Sequence, residues 1–374
     1  MKVLSVFGTR PEAIKMCPLV NELRRRPEIQ SEVCLTSQHR ELLYCVTDLF
    51  GVTADYDLAL MRTRQTLGGI FCGVLAGMEP VLERARPDVV LVHGDTSTSC
   101  AAALAAFYHK IPVGHVEAGL RSHRRYSPFP EEMNRRLTAC LASFHFAPTE
   151  GNAANLRAEG FSENIYVTGN TVLDALRTTV RGDYVFHAAA LADPALFAGR
   201  CVLLTAHRRE NIPRGIEAIC RAALRLSQAF PDVTIVYPVH PNPAVREIVL
   251  PLLRGRRGIV LTEPLDLLDM HNLMARCTLV MTDSGGLQEE APALGVPVLV
   301  LRDETERPEA VSAGSVHLAG TAEEGIFRAA AQLLSDEAER MKMAHAVSPY
   351  GDGHTSERIA DILLAAFPAR EAAS

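Results

Sequence analysis

Short apolar runs alternate with longer amphipathic stretches along nearly the whole chain. The first series is KVLSVFGT (2–9), EVCLTS (32–37), DVVLVHGD (88–95), IPVGHVEA (111–118), FHFAPT (144–149) and IYVTGN (165–170). The second is CVLLTAH (201–207), VTIVYPVH (233–240), GIVLTEP (258–264), CTLVMTDS (277–284), VPVLVLRD (296–303) and SVHLAG (315–320). Apolar residues in these runs mostly follow one another without alternation, as in strands covered on both faces. Stretches with helical patterning, such as 97–110, 214–230 and 321–334, lie between them. This alternation predicts an α/β protein built on parallel sheets. The two series predict two Rossmann-like domains, residues 1–170 and 171–354. The irregular stretch 181–200 reads as a linker or small insertion. A last helical stretch, 355–367, follows the turn-rich SPYGDGH and is expected to pack back on the first domain.

Polar residues matter most where the apolar runs stop, because open parallel sheets bind ligands beyond the carboxyl ends of their strands. Those ends supply Arg10, Asp95, Glu117, His207, His240 and Ser284. Taken singly, an Asp after a strand is a helix cap and a His there is merely solvated. Six such residues split between two domains favour a shared cleft, with the two sheets facing across it.

Composition narrows the field. The chain has 374 residues, 48% of them apolar, and a net charge of −6. Such a charge argues against nucleic acid or an anionic membrane as the main partner. No apolar run reaches the length of a membrane span, and Met1-Lys2 leads straight into a strand-like run rather than a signal peptide. The nine cysteines are scattered without a C-x-x-C pair and read as reduced residues of a cytoplasmic protein. No G-x-G-x-x-G, Walker A or H-E-x-x-H sequence is present, so neither a dinucleotide cofactor nor a dedicated metal is expected.

Several motifs have two readings. In FGTRPEAIK (7–15), Pro11 suits the first helical position, which puts Arg10 at a helix start where an anion is welcome; Lys15 lies about a turn further on. A related phrase, ERPEA (306–310), again sets an arginine, Arg307, before a Pro-led helix. In PFPEEMNRR (128–136), Glu131 and Arg135 are spaced either as site residues or as an ordinary i, i+4 ion pair. LTAHRREN (204–211) gathers His207, Arg208 and Arg209 at a strand end, a place suited to phosphate.

TDSGGLQEEA (282–291) poses a question, because two carboxylates follow a turn that looks built for an anion. Gly285 and Gly286 let backbone approach a phosphate and Ser284 can donate to it. Glu290 lies about 6–9 Å further along by helical rise. That is where the ribose of a nucleoside diphosphate would sit, its hydroxyls donating to the carboxylate. Glu289 is expected to face elsewhere.

Nine motifs, VFGTRPEAIKM, VHGDT, GHVEAGLRS, PEEMNRR, AHRREN, YPVHPNP, TDSGGLQEEAP, RDETERPEA and SPYGDG, together resemble the non-hydrolysing UDP-N-acetylglucosamine 2-epimerases, in order and over nearly the whole chain. The resemblance implies a glycosyltransferase-B-type fold and interconversion of UDP-GlcNAc and UDP-ManNAc without a cofactor. It implies elimination of UDP to 2-acetamidoglucal, followed by re-addition with a proton delivered to the other face of C2. Asp95, Glu117 and Glu131 match the proton-handling positions and His207 the catalytic histidine. Arg10, Lys15, Arg135, Ser284, Gly285, Gly286, Glu290 and Arg307 match substrate-binding positions. Gln38, His39, Arg64, Arg208 and His240 match positions that hold a second UDP-GlcNAc in regulated members. Glu41 departs from the Gln common in those members, and Met270 from the aromatic residue usual beside the uracil. A base among neighbouring carboxylates is expected to have a raised pKa. A homodimer supplying UDP-ManNAc for surface polysaccharide is the resulting expectation. A hydrolysing relative releasing free ManNAc, a transferase of the same fold and an idle nucleotide-sugar sensor are the alternatives.

Overall fold

Parallel pairing accounts for every strand of the computed structural model, which describes residues 1–37, 40–60, 65–305 and 307–367, the side chains of 40–42 excepted. The strands are β1 (Lys2–Phe7), β2 (Gln30–Leu35), β3 (Tyr56–Asp57), β4 (Val89–His93), β5 (Val113–Val116), β6 (Phe144–Ala147) and β7 (Ile165–Val167), then β8 (Arg200–Thr205), β9 (Val233–Pro238), β10 (Ile259–Thr262), β11 (Leu279–Thr282), β12 (Val298–Val300) and β13 (Val316–Leu318). The twelve apolar runs of the sequence all appear. The additional strand β3 has only two residues at a sheet edge and no apolar run to announce it.

The chain divides into two units. Unit 1 comprises Met1–Ala175 with the C-terminal stretch from Tyr350, and unit 2 comprises Leu176–Pro349. Unit 1 holds a seven-stranded sheet in the order β3-β2-β1-β4-β5-β6-β7; unit 2 holds a six-stranded one in the order β10-β9-β8-β11-β12-β13. Each order runs outward in both directions from a central pair, β1/β4 in unit 1 and β8/β11 in unit 2. Chain connections diverge there and leave an opening at the strand ends.

Burial follows the pattern that predicted the strands. All five residues of β4 are buried, as are all four of β5. Val74, Met78 and Leu82 of the helix Leu67–Ala85 cover one face of the unit 1 sheet together with Ala101–Ala103 and Ala105–Ala106 of the helix Ser97–Tyr108. In unit 2, Ile216, Ile219 and Ala223 of the helix Arg214–Ala229 pack with Tyr237 of β9 and Ile326 of the helix Glu323–Ser335. The Tyr237 hydroxyl, wholly buried, donates to the Ala206 carbonyl at 2.9 Å. The stretch 181–200 forms two 3-10 turns, Ala189–Leu191 and Pro194–Phe197, that belong to unit 2.

The C-terminal helix Thr355–Ala366 lies in unit 1 against the helix Arg10–Arg25. Buried Asp174 accepts from the Thr355 and Ser356 backbone N–H groups at 3.2 and 2.8 Å, satisfying two donors at the helix start. Arg26 and Asp361 pair at 3.0 Å. All nine cysteines are free, six of them buried, and burial pushes the Cys17, Cys34 and Cys220 thiols up to about 12. Among the described residues no helix is long and apolar enough to cross a membrane.

Candidate functional site

Unit 1 gathers its candidate residues at the β1/β4 opening and the neighbouring end of β5. Thr9 caps the helix Arg10–Arg25, with Pro11 in the first turn as the sequence predicts. Glu12 completes a capping box and then goes further. Its buried carboxylate accepts from the Gly8 and Thr9 N–H groups at 3.1 and 2.8 Å and from the Thr9, Thr96 and Ser99 hydroxyls at 2.7–3.0 Å. One residue thereby ties the turn that carries Arg10 to the turn that carries Asp95. Its sequence signal was the T-x-x-E spacing of Thr9 and Glu12. Gly8 has no room for a side chain, since a Cβ there would lie 1.8 Å from the Thr36 hydroxyl.

Asp95 follows β4 and pairs with Arg135 Nη2 at 2.6 Å, while Asn134 Nδ2 donates to the Asp95 carbonyl at 2.9 Å. Arg135 therefore reaches across to Asp95 and, at 3.6 Å, to Glu132. The i, i+4 pair with Glu131 does not form, because Glu131 opens the helix Glu131–Leu141 half-exposed while Arg135 is turned inward and buried. The Gly94–Asp95 turn is held from β5: His115 Nε2–H donates to the Gly94 carbonyl at 2.7 Å, and Gly94 N–H to Val116 at 2.9 Å.

Glu117 stands at the end of β5 in the left-handed region, φ +64°. Its side chain is 11% exposed, is bonded to the Lys15 ammonium and lies 3.0 Å from His93 Nε2. Burial alone would push its pKa up. The Lys15 ammonium and the adjacent His93 ring outweigh that and hold the carboxyl well below the usual range. The expectation of a raised pKa is corrected at this residue, because its nearest charged group is the Lys15 ammonium rather than another carboxylate. His93, the last residue of β4, was missed in the sequence because it lies just before the run's end, where Asp95 stands as the polar residue.

Unit 2 gathers its candidate residues at the β8/β11 opening. His207 follows β8, with Arg208 next to it. The His207 ring stacks on His240, which follows β9, with centroids 5.1 Å apart and planes 7° from parallel. Burial lowers the His207 pKa, with His240 and Arg208 adding to the shift and Asp283 opposing it.

After β11 come Ser284, Gly285 and Gly286, then the helix Leu287–Ala293. Arg307 lies over Gly285 so closely that a Cβ there would stand 2.7 Å from Nη1. The glycine thus admits an arginine. Glu289, buried, pairs with Arg307 Nε at 2.6 Å, a different partner from that of Glu290. Glu290 lies 3.5 Å from Nε2 of buried His271, whose Nδ1 meets the Thr179 hydroxyl at 2.7 Å. Gln288 braces the turn, donating to the Ser284 carbonyl at 3.1 Å and accepting from Thr305 at 2.5 Å. Each carboxylate after the turn is matched with a positively charged or protonatable partner, so the turn itself is not left facing bare negative charge.

Of the residues expected to hold a second nucleotide sugar, Arg208 and His240 are adjacent to His207, whereas Gln38, His39 and Arg64 lie outside the described residues. His187, Asp266 and Asp269 bring three metal-capable atoms within 4.8 Å of one another. Those carboxylates are already occupied. Asp269 accepts from Tyr184, His187 N–H and Ala188 N–H, and Asp266 caps the helix Leu267–Ala275 through Asp269 N–H while receiving His187 Nδ1–H. A cavity of about 710 Å³ beside β10 touches His187 and Asp266 but none of the candidate residues.

A family model described as UDP-N-acetylglucosamine 2-epimerase matches residues 21–364. The UDP-N-acetylglucosamine 2-epimerase of Bacillus subtilis (strain 168) is 51% identical over 368 residues, 97% of this chain and 95% of that protein. The crystal structure of UDP-GlcNAc 2-epimerase from Neisseria meningitidis bound to UDP-GlcNAc is 46% identical with a TM-score of 0.87, covering 98% of this chain and 100% of that one. The fold extends further: the glycotransferase of kitacinnamycin shares it with a TM-score of 0.67 at 14% identity, over 98% of this chain and 99% of that one.

Proposed function

The chain belongs to the UDP-N-acetylglucosamine 2-epimerase family, and from that premise we propose that it is the non-hydrolysing enzyme, interconverting UDP-GlcNAc and UDP-ManNAc. C2 of the sugar has no carbonyl beside it, so its proton is not acidic in the ground state. Breaking the C1–O bond changes that, because positive charge developing at C1 makes the C2 proton removable. The electron pair of C1–O leaves with UDP, a carboxylate takes the C2 proton, and 2-acetamidoglucal remains. UDP then re-adds at C1 while a proton arrives at C2 from the opposite face.

The observation that carries the reading is the placement of Asp95 and Glu117 after neighbouring strands β4 and β5, each carboxylate already matched with a cation, Arg135 and Lys15 respectively. We assign proton transfer at C2 to these two with Glu131. Arg10, Lys15, Arg135 and Arg307 offset substrate charge, Ser284 to Gly286 meet the diphosphate, Glu290 meets the ribose, and His207 serves the departing phosphate oxygen. Gln38, His39, Arg64, Arg208 and His240 are assigned to a second UDP-GlcNAc. The solved Neisseria relative holds UDP-GlcNAc, which supports the substrate class. The nine motifs in order support the non-hydrolysing type. We also propose a cytoplasmic homodimer that supplies UDP-ManNAc for surface polysaccharide; exposed Phe107 and Tyr108 in unit 1 support a second copy as partner.

The test is positional isotope exchange. UDP-GlcNAc carrying ¹⁸O in the bridge between C1 and the β-phosphorus should scramble that label into the non-bridging β-phosphate oxygens, at a rate comparable with epimerisation. Epimerisation with the label retained in the bridge would exclude C1–O cleavage.

A further inference from the structure

Asp283 is a buried carboxylate that the chemistry above does not use. It closes the β11 run immediately before the Ser284 turn, and its side chain turns toward the end of β8. Oδ2 accepts from the His207 and Arg208 N–H groups, both at 2.8 Å, and from Asn211 Nδ2 at 3.0 Å. Oδ1 accepts no hydrogen bond of normal geometry among the described residues, yet lies 3.3 Å from His207 Nδ1. The residue is 0% exposed. A carboxylate withdrawn from water requires donors for both oxygens, and leaving one without a donor is costly. His207 Nδ1 is the ring atom placed to supply the missing one. Contacts of this kind are often long before substrate binds and tighten afterwards.

The groups around His207 agree with that role. His240 covers one face of the ring, and its own Nδ1 accepts from Asn242 N–H at 3.1 Å, which leaves its proton on Nε2. Arg208 is the neighbouring cation, and its backbone is tied to the same Asp283 oxygen. Asp283 is the carboxylate facing the ring, and His240 and Arg208 are the other titratable or charged groups beside it. A ring whose Nδ1 is committed to a carboxylate presents Nε2 as its working atom.

We propose that Asp283 is the positioning residue of His207: it receives the Nδ1–H, directs Nε2 toward the diphosphate, and makes the imidazolium the acid for the departing UDP. This rests on the proposed epimerase reading. As the C1–O bond breaks, its electron pair passes to the β-phosphate oxygen and the Nε2 proton moves to that oxygen. The C2 proton goes to a carboxylate, as proposed above. On re-addition the phosphate oxygen returns its proton to Nε2 as the C1–O bond forms. Asp283 stays ionised throughout and steadies the imidazolium, as the aspartate does in a Ser-His-Asp triad.

The first test uses the unaltered full-length chain. Long-range ¹H–¹⁵N correlation on ¹⁵N-histidine-labelled protein, with His207 identified by His207→Gln, should show the neutral ring protonated at Nδ1. Protonation at Nε2 would overturn the proposal. The second test is Asp283→Asn, assayed for turnover, UDP affinity and pH dependence. Turnover should fall about 100-fold or more, with UDP affinity changed less than about threefold. The alkaline limb of kcat should move to lower pH, because the imidazolium has lost its carboxylate. Unchanged turnover with an unmoved limb would overturn the proposal, as would full turnover in His207→Gln. Should Asp283→Asn not fold, the tautomer in the unaltered chain decides. If the unaltered chain makes no UDP-ManNAc, the proposed function falls, and the tautomer still shows whether Asp283 holds His207.

Discussion

Glu117 carries negative charge in surroundings that would reject it without Lys15 and His93. The Lys15 ammonium and the His93 ring, both within bonding distance, outweigh the burial, so the residue is ionised at rest. The direction of that shift gives a pH prediction. Lys15→Met removes the larger of the two attractions, so the Glu117 pKa should rise. The acid limb of kcat/KM, where the ionised carboxylate is lost, should then move to higher pH. An unmoved limb would mean that Glu117 ionisation does not control the rate. In unit 2, Glu290 is the residue whose loss should be felt in binding. Hydrogen bonds to a charged group contribute about 1.5–3 kcal/mol, so Glu290→Ala should weaken UDP binding by roughly ten- to a hundredfold in calorimetry. Unaltered affinity would remove the ribose assignment and leave Glu290 as a partner of His271 alone.

Elements set these residues in place, and buried histidines are part of the setting. His115 of β5 donates to the Gly94 carbonyl and so holds the turn before Asp95. Burial lowers its pKa to about 3, and that of His145 on neighbouring β6 to about 4. Both are therefore neutral in the fold, while the unfolded chain takes up protons on them below about pH 6.5. A group with a lowered folded pKa loses stability as pH falls from its unfolded value toward its folded one, by up to about 1.4 kcal/mol per pH unit for each residue. Urea unfolding of unit 1 should thus show a midpoint falling steeply between pH 6 and pH 4.5, and His115→Gln should flatten the slope. An equal slope in the variant would assign the pH dependence elsewhere. Strand positions of this kind were legible in the sequence because continuous apolar runs announce them. The partners at their ends were less so. Arg135 was set one turn from Glu131 by spacing, yet it pairs with Asp95, forty residues away in sequence. Helical spacing reports neighbours on one helix and is silent on what the next strand brings. Asp283 and Glu289 were hidden for the same reason, since their partners His207 and Arg307 come from other elements.

At the scale of the whole molecule, two parallel sheets were foreseeable from two series of apolar runs, whereas the strand order and the two-residue β3 were not. Phe107 and Tyr108 are 56% and 61% exposed at the end of the helix Ser97–Tyr108, an apolar pair that a lone chain would leave in water. Light scattering coupled to gel filtration should give twice the chain mass, and Phe107→Ser with Tyr108→Ser should lower it toward one. A single-chain mass for the unaltered protein would remove the dimer. Proton transfer at C2 is the step on which the proposed epimerisation turns, and proton NMR of the purified chain with UDP-GlcNAc in D₂O tests it most directly. UDP-ManNAc bearing deuterium at C2 is the predicted product, formed while the nucleotide sugar pool stays intact. Accumulation of UDP with free ManNAc, or bound substrate whose C2 proton never exchanges, would contradict it.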